Sequence, residues 1–431
     1  MKHNIPLEQY GPLATEMANA IAKCVHCGFC LPVCPTYNVL NQEMDSPRGR
    51  IILMKSFLEG NLDLEDIMPY IDHCLGCLGC ESACPSGVAY GELLSPFRSY
   101  AEEHLHRPGE QRLIRWVTKE TLPFPERFHL VTQVGKFVKP ASAIFPSRFK
   151  YMLDLIPDNS PHQQSLPFVY KAQGTRRARV ALQIGCVQQV LAQEINWATL
   201  RVLVRNGIEV VIPQDQGCCG ALAMHTGDKL TARSLAINNL DSFPDDVDAI
   251  ITNAAGCGSS MHEYPMLFKG TEFEEAAITF SQRVSDISVF LNEIIIEPFP
   301  PNNNPITIAY QDACHLAHAQ GITKEPRELL LKIPNLTILP INEGDLCCGS
   351  AGSYNLEHPE IAHNLGHRKA VNIIDTGADA VVSGNIGCLI QLRSHLSQLN
   401  GGNGRSNKPI PVWHTIEIID KAYQDQLQAH Q

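Results

Sequence analysis

Apolar positions keep a helical period through the N-terminal quarter of the chain and change to short buried runs closed by turns in the C-terminal half. Leu13, Met17, Ala20 and Ile21 mark one face of a helix reaching about Ala22. Asp45-Ser46-Pro47 opens a second helix, with proline in its first turn, which runs to about Glu59 and stops at Gly60-Asn61. Leu64 to Ile71 and Gly87 to Arg98 predict two more. From Leu122 to Gln173, Pro123, Pro125, Pro140, Pro146, Pro157, Pro161 and Pro167 interrupt any long element, which leaves short helices over Phe128–Phe137 and Ser147–Leu155.

The texture then changes. Val180–Ile184, Glu209–Ile212 and Ala249–Thr252 read as buried strands, the first followed by a helix through Val202. After the Pro- and Asn-rich linker Pro298–Pro305 the pattern recurs, with strands at Ile306–Tyr310, Leu336–Leu339 and Ala380–Val382. Strands alternating with helices predict a parallel sheet. Each strand leads to cysteine: Cys186, Cys218-Cys219 and Cys257 in the first copy, Cys314, Cys347-Cys348 and Cys388 in the second. Open α/β sheets hold ligands at those carboxyl ends. Corresponding cysteines are offset by 128, 129 and 131 residues, the mark of a tandem duplication. The fold class expected is therefore α + α/β: a mostly helical domain over 1–110, a connector over 111–175, and two α/β units over 176–298 and 299–431.

Two further cysteine runs define the helical domain. Cys24, Cys27, Cys30 and Cys34, and Cys74, Cys77, Cys80 and Cys84, both read C-x2-C-x2-C-x3-C-P, the spacing with which bacterial ferredoxins hold two [4Fe–4S] clusters. In that arrangement the fourth cysteine of each run serves the other cluster. Cys24, Cys27, Cys30 and Cys84 are thus assigned to one cluster, and Cys34, Cys74, Cys77 and Cys80 to the second. Zinc ribbons also use C-x2-C, but with two ligands per turn rather than four. The 50 residues between the runs are filled by helices, unlike the hairpins of the smallest ferredoxins. For the duplicated C…CCG…C sites an iron–sulfur cluster, zinc, redox-active thiols and buried structural thiols all remain open.

Composition limits the function classes. With 34 Lys and Arg against 45 Asp and Glu the net charge is −11, which argues against nucleic acid as partner. Residues 101–180 depart from this, with 13 basic and 7 acidic side chains. Phe137, Ile144, Phe145 and Phe149 among those charges would form an amphipathic docking surface, or pack as a solvated linker. Neither a signal peptide nor a spanning helix is recognisable. A cytoplasmic protein is expected, free or peripheral on the inner face of the membrane. Sixteen cysteines in such a chain point to metal or redox chemistry rather than disulfides.

Other candidates carry less. His26, His73, His225, His262, His315 and His318 lie near cysteines and read as packing or solvent-facing side chains, with His315 the best placed to reach sulfur. Arg48 and Arg50 would temper a cluster's negative charge, but capping and solvation are the expected roles. Nucleotide, P-loop and nucleophile-elbow motifs are absent, so no flavin, nicotinamide or substrate pocket is expected on this chain.

The two ferredoxin runs, Pro47-Arg48-Gly49-Arg50, the duplicated CCG pattern and Gln311-Asp312-Ala313-Cys314-His315-Leu316 together resemble the iron–sulfur subunit of glycolate oxidase (glycolate dehydrogenase) over nearly the whole chain. The resemblance implies an electron-transfer subunit beside FAD-containing partners that oxidise glycolate to glyoxylate, with quinone as acceptor. Equivalent subunits serve lactate or glycerol 3-phosphate oxidation. Heterodisulfide-reductase relatives end each repeat in C-x2-C; here Ser260 and Gln391 stand in the place of the last thiol. A thiol–disulfide reductase acting through the CCG cysteines and a zinc-stabilised scaffold are the rivals from other classes.

Overall fold

A computed structural model describes residues 1–144, 147–157, 164–294, 296–402 and 410–427. Helices build the N-terminal part because their apolar residues fall on one face. Ala14–Lys23 buries Met17, Ala20 and Ile21 against Tyr90–His104, which buries Leu93, Leu94 and Phe97. Pro47–Leu58 starts at Ser46, whose Oγ accepts the Gly49 N–H at 3.0 Å, and adds Ile51, Met54 and Leu58 to the same core. Leu64–Asp72 contributes Leu64, Ile67, Met68 and Ile71 in spite of Pro69. The fourth helix begins at Tyr90, three residues later than expected, because Gly87 adopts φ +62° in the turn that leaves the cysteine loop.

The connector is more ordered than its prolines suggest. Gly109–Thr121 and Pro125–Val138 are consecutive contacting helices, with Pro125 at the first helical position, where a missing N–H costs nothing. Their inner faces hold all three parts of the molecule together. Arg115 reaches Glu102 at 2.8 Å, Glu357 at 2.9 Å and the Thr226 carbonyl at 3.0 Å, and Phe128 packs on Val190 and Leu191. A third helix covers Ser147–Asp154. Phe145, Pro146 and Pro161 lie outside the described residues, as do the side chains of Ile144 and Phe149.

Two sheets follow. In the first, β1 (Val169–Tyr170), β2 (Ala178–Gln183), β3 (Ile208–Val211), β4 (Ala249–Thr252) and β5 (Val284–Asp286) lie in the order β1-β3-β2-β4-β5. All pairs are parallel except β1 with β3, so the connector donates an antiparallel edge. In the second, β6 (Ile306–Tyr310), β7 (Leu336–Leu339), β8 (Ala380–Ser383) and β9 (Val412–His414) are all parallel in the order β7-β6-β8-β9. β5 and β9 have three residues each, too short for a period to register. The strand order reverses around the first parallel strand of each copy, β2 and β6. At such a switch point a crevice opens beyond the carboxyl ends. Both sheets feed one core, in which Val180, Leu182 and Ile251 join Ile308, Val381 and Ile418.

Candidate metal centres

The two cysteine runs fold into turns of the same shape. Residues two and four positions after the first cysteine have positive φ in both: His26 (59°) and Gly28 (88°), then Gly76 (64°) and Leu78 (59°). Such left-handed positions reverse the chain tightly enough to bring three cysteines around one point. Cys24, Cys27, Cys30, Cys80 and Cys84 line one cavity, and Cys80 is shared with the next. A second cavity is lined by Cys34, Cys74, Cys77 and Cys80. Donors converge on sulfur: Thr36 Oγ1 lies 3.3 Å from Cys34 Sγ, and the Gly76 N–H and Tyr90 hydroxyl donate to Cys74 Sγ at 3.4 and 3.9 Å. Thiol-rich cavities with donors aimed at sulfur fit iron–sulfur clusters, whose potentials such hydrogen bonds tune.

Arg50 departs from expectation. It is 1% exposed rather than solvated. Its Nη1 donates to Cys34 Sγ at 3.9 Å, Nη2 to Thr36 Oγ1 at 2.9 Å and to Asp45 Oδ1 at 3.2 Å, and Nε to the Tyr70 carbonyl at 2.7 Å. Asp45, equally buried, also meets His73 Nδ1 at 2.9 Å. Arg48 does stay near solvent, paired with Glu43 at 2.6 Å. Gly49 between them has no room for a side chain: a Cβ would stand 1.9 Å from the Glu43 carbonyl.

In the duplicated units the cysteines meet in the switch-point crevices. Cys186 Sγ lies 3.3 Å from Cys218 Sγ, and Cys219 exchanges hydrogen bonds with Cys218 and Cys257. Cys314 Sγ lies 3.9 Å from Cys347 Sγ, while Cys348 bonds to Cys347 and Cys388. Hydrogen bonds from neighbouring thiols together with burial push the Cys218, Cys257, Cys347 and Cys388 thiols up, and Cys348 to about 12. Four thiols in so dry a site cannot all ionise without a countercharge. The missing last thiols are replaced by hydrogen-bonding side chains. Ser260 Oγ donates to the Cys219 carbonyl at 3.2 Å, and Gln391 Nε2 to the Ala362 carbonyl at 3.1 Å and to the Tyr151 hydroxyl at 2.8 Å.

The four cysteine sets are not separate. Cys77 and Leu75 pack in one cluster with Cys314, Cys347 and Tyr354, whose hydroxyl donates to the His73 carbonyl at 3.0 Å. Between the duplicated units, Asn385 Nδ2 donates to Cys388 Sγ at 3.5 Å while its Oδ1 accepts from the Gly256 N–H at 3.4 Å, next to Cys257. No sequence signal marked Asn385, because a polar residue in a helix-opening turn is ordinary. Of the histidines, His315 Nδ1 lies 3.8 Å from Cys314 Sγ, and His26 Nε2 meets the Met1 sulfur rather than a cysteine. His318 Nδ1 instead meets Ser82 Oγ at 3.0 Å, and His225 stacks towards His315 with ring centres 4.9 Å apart.

Comparison with known proteins agrees with this arrangement. The 4Fe-4S dicluster domain family matches residues 20–88, and the cysteine-rich domain family matches 180–262 and 308–393. The probable glycolate oxidase iron-sulfur subunit of Bacillus subtilis is 36% identical over 86% of this chain and 88% of its own length. The glycolate oxidase iron-sulfur subunit of Escherichia coli is 34% identical over 95% of this chain and 96% of its own. Lactate utilization protein A of Oceanobacillus iheyensis is 26% identical and matches 56% of this chain with 96% of its own length. Among the described residues no helix is long and apolar enough to cross a membrane. From its two ferredoxin-type turns to its second CCG site, the chain belongs to the family of glycolate oxidase iron–sulfur subunits, and with it to the iron–sulfur oxidoreductases.

Proposed function

We propose that this chain is the electron-transfer subunit of a complex whose FAD-containing subunits oxidise glycolate to glyoxylate, and that the acceptor is a quinone reached by peripheral contact with a membrane. The packing of Cys77, Cys314 and Cys347 in one apolar cluster carries the reading, since it joins the ferredoxin-type part to the second duplicated unit. Clusters held by the cysteines would supply one-electron transfer. The chain's own residues bury the sites, aim donors at sulfur and keep neighbouring sites in register. We assign Cys24, Cys27, Cys30 and Cys84 to one [4Fe–4S] cluster and Cys34, Cys74, Cys77 and Cys80 to a second, within a domain over 1–110. The units over 176–298 and 299–431 would each hold a further iron–sulfur cluster or zinc, through Cys186, Cys218, Cys219 and Cys257 and through Cys314, Cys347, Cys348 and Cys388.

The crosswise assignment has a direct test in iron content. Cys24→Ala combined with Cys84→Ala is expected to lose no more iron than either variant alone, whereas Cys34→Ala with Cys84→Ala loses both clusters; additive loss in the first pair would show that the two residues serve different clusters.

The first cavity is the one placed to meet a donor. Its turn carries Val25 and Phe29, 66% and 64% exposed, beside the exposed Cys27, whereas Cys34 and Cys74 of the second cavity are buried. Exposed apolar side chains at a redox centre are the anchors a partner buries. Phe29→Glu is expected to slow reduction by the flavin subunit roughly tenfold or more, with iron content unchanged. Reduction at the original rate in stopped flow would remove this face from the interface.

The substrate is settled by purifying the complex and offering glycolate, lactate and glycerol 3-phosphate with a dye acceptor. Glycolate turnover is the expected result. A partner that oxidises lactate and ignores glycolate would move the chain to the second reading, which the name of the Oceanobacillus relative favours.

A further inference from the structure

Large apolar side chains stand in solvent more densely on the two connector helices than anywhere else described. Of eighteen such residues among the described positions, eight fall between residues 113 and 137. Leu113 (59% exposed) and Trp116 (60%) lie on Gly109–Thr121; Leu130 (66%), Val134 (56%) and Phe137 (88%) lie on Pro125–Val138, at a spacing that forms one stripe. They are not a core face turned the wrong way, because both helices bury another face. Thr118, Phe128, Thr132 and Gly135 point inward, and a Cβ on Gly135 would stand 2.3 Å from Ile156. Each helix is thus packed on one side and apolar on the other, on a strap anchored by Arg115.

Charge selects the occupant. The two helices, residues 109–138, carry five basic and three acidic side chains, while the rest of the chain carries thirteen negative charges in excess. Arg112 is exposed on the first of these helices, and Arg127, paired with Glu120 at 2.8 Å, lies over the Phe124 ring at 4.3 Å. An anionic bilayer would repel most of this surface and attract the one face that also offers Trp, Phe and Leu. A protein partner would need no such polarity. We propose that the outer face of these two helices docks on an anionic lipid bilayer, lying in the interface without crossing it, as amphipathic helices with a basic rim do. This deepens the peripheral membrane contact of the functional reading and rests on it for its purpose, but the binding itself is independent of electron transfer.

The test uses the iron-loaded full chain with vesicles of pure phosphatidylcholine and vesicles containing phosphatidylglycerol. The expected result is cosedimentation with the anionic vesicles alone, weakened by salt, with a blue shift of tryptophan emission that Trp116→Phe abolishes. Val134→Glu with Phe137→Glu should lower the partition coefficient at least about tenfold and leave dye-linked turnover of the complex unchanged. Equal binding to neutral vesicles, absence of binding, or binding that ignores the double variant would each overturn the proposal. So would a dimer of the wild-type chain that the double variant dissolves, since a second copy would then be the occupant. A wild-type chain that turns over in its complex but binds no anionic vesicles sinks this inference alone; a wild-type chain that binds them while its complex oxidises no glycolate sinks the functional reading alone.

Discussion

Arg50→Met is expected to destabilise the protein by about 3–5 kcal/mol, the usual cost of removing one partner from a buried ion pair. Among the described residues the guanidinium is the permanent cation that hydrogen-bonds Asp45, the other ionisable partner being the partly exposed His73 imidazole, and both Arg50 and Asp45 are 1% exposed. Without Arg50 the carboxylate keeps its burial and loses its stronger counterion. The Thr36 hydroxyl and the Tyr70 carbonyl lose their donor as well. Asp45→Asn added to Arg50→Met should therefore recover part of the loss, which denaturant unfolding of the two single variants and the double variant measures. Arg50→Lys should fall between, because one ammonium cannot span Cys34, Thr36, Asp45 and Tyr70 at once. An Arg50→Met protein as stable as wild type would mean that the buried pair contributes nothing.

Gly227→Ala should be comparably damaging, for a reason of shape rather than charge. Gly227 has φ +88°, and a Cβ there would stand 2.3 Å from the Arg98 carbonyl oxygen. The left-handed conformation alone costs a residue with Cβ about 1–2 kcal/mol, and forcing extra volume into a packed seam adds about 1–3 kcal/mol. The seam is the one between the helical domain and the first sheet unit, where Arg98 donates to the carbonyls of His225 at 3.1 Å and Ile71 at 3.0 Å. Faster proteolysis at that seam should accompany the lower stability. Gly174→Ala is the matched control: φ is +71°, but nothing stands within 4 Å of its Cβ, so only the conformational part should appear. Equal losses at the two sites would rule out the clash as the cause.

What the chain discloses in advance depends on how local each feature is. Cysteine spacing is a local pattern imposed by the geometry of a tight turn, and the repeated left-handed positions around Gly28 and Gly76 show why it recurs. The duplicated strands were equally legible, since a buried run ending in cysteine needs only a few neighbouring residues to be recognised. Arg50 was not, because an arginine in the first turns of a helix looks solvated until Asp45, Thr36 and Tyr70 are brought around it from elsewhere in the chain. The connector misled for a related reason. Its prolines read as breaks, yet Pro125 starts a 14-residue helix and Pro123 lies outside both helices, where neither removes a helical hydrogen bond. Ser260 and Gln391 were visible only as departures from a pattern; their hydrogen bonds beside the CCG sites required the fold.

The packing of Cys77 beneath Cys347 and Tyr354 also bears on biogenesis. The cover over the second ferredoxin-type turn is encoded 267 residues downstream of Cys80, counting to Cys347. At typical synthesis rates that separation lasts roughly ten to fifty seconds. During that interval the helical domain can fold with its turn open to a metal-delivery protein. Once the last sheet unit docks, the Tyr354 hydroxyl donates to the His73 carbonyl and Cys347 packs in one cluster with Cys77. Loading of the second turn is therefore expected to be easiest in that interval, before the C-terminal unit packs with Cys77.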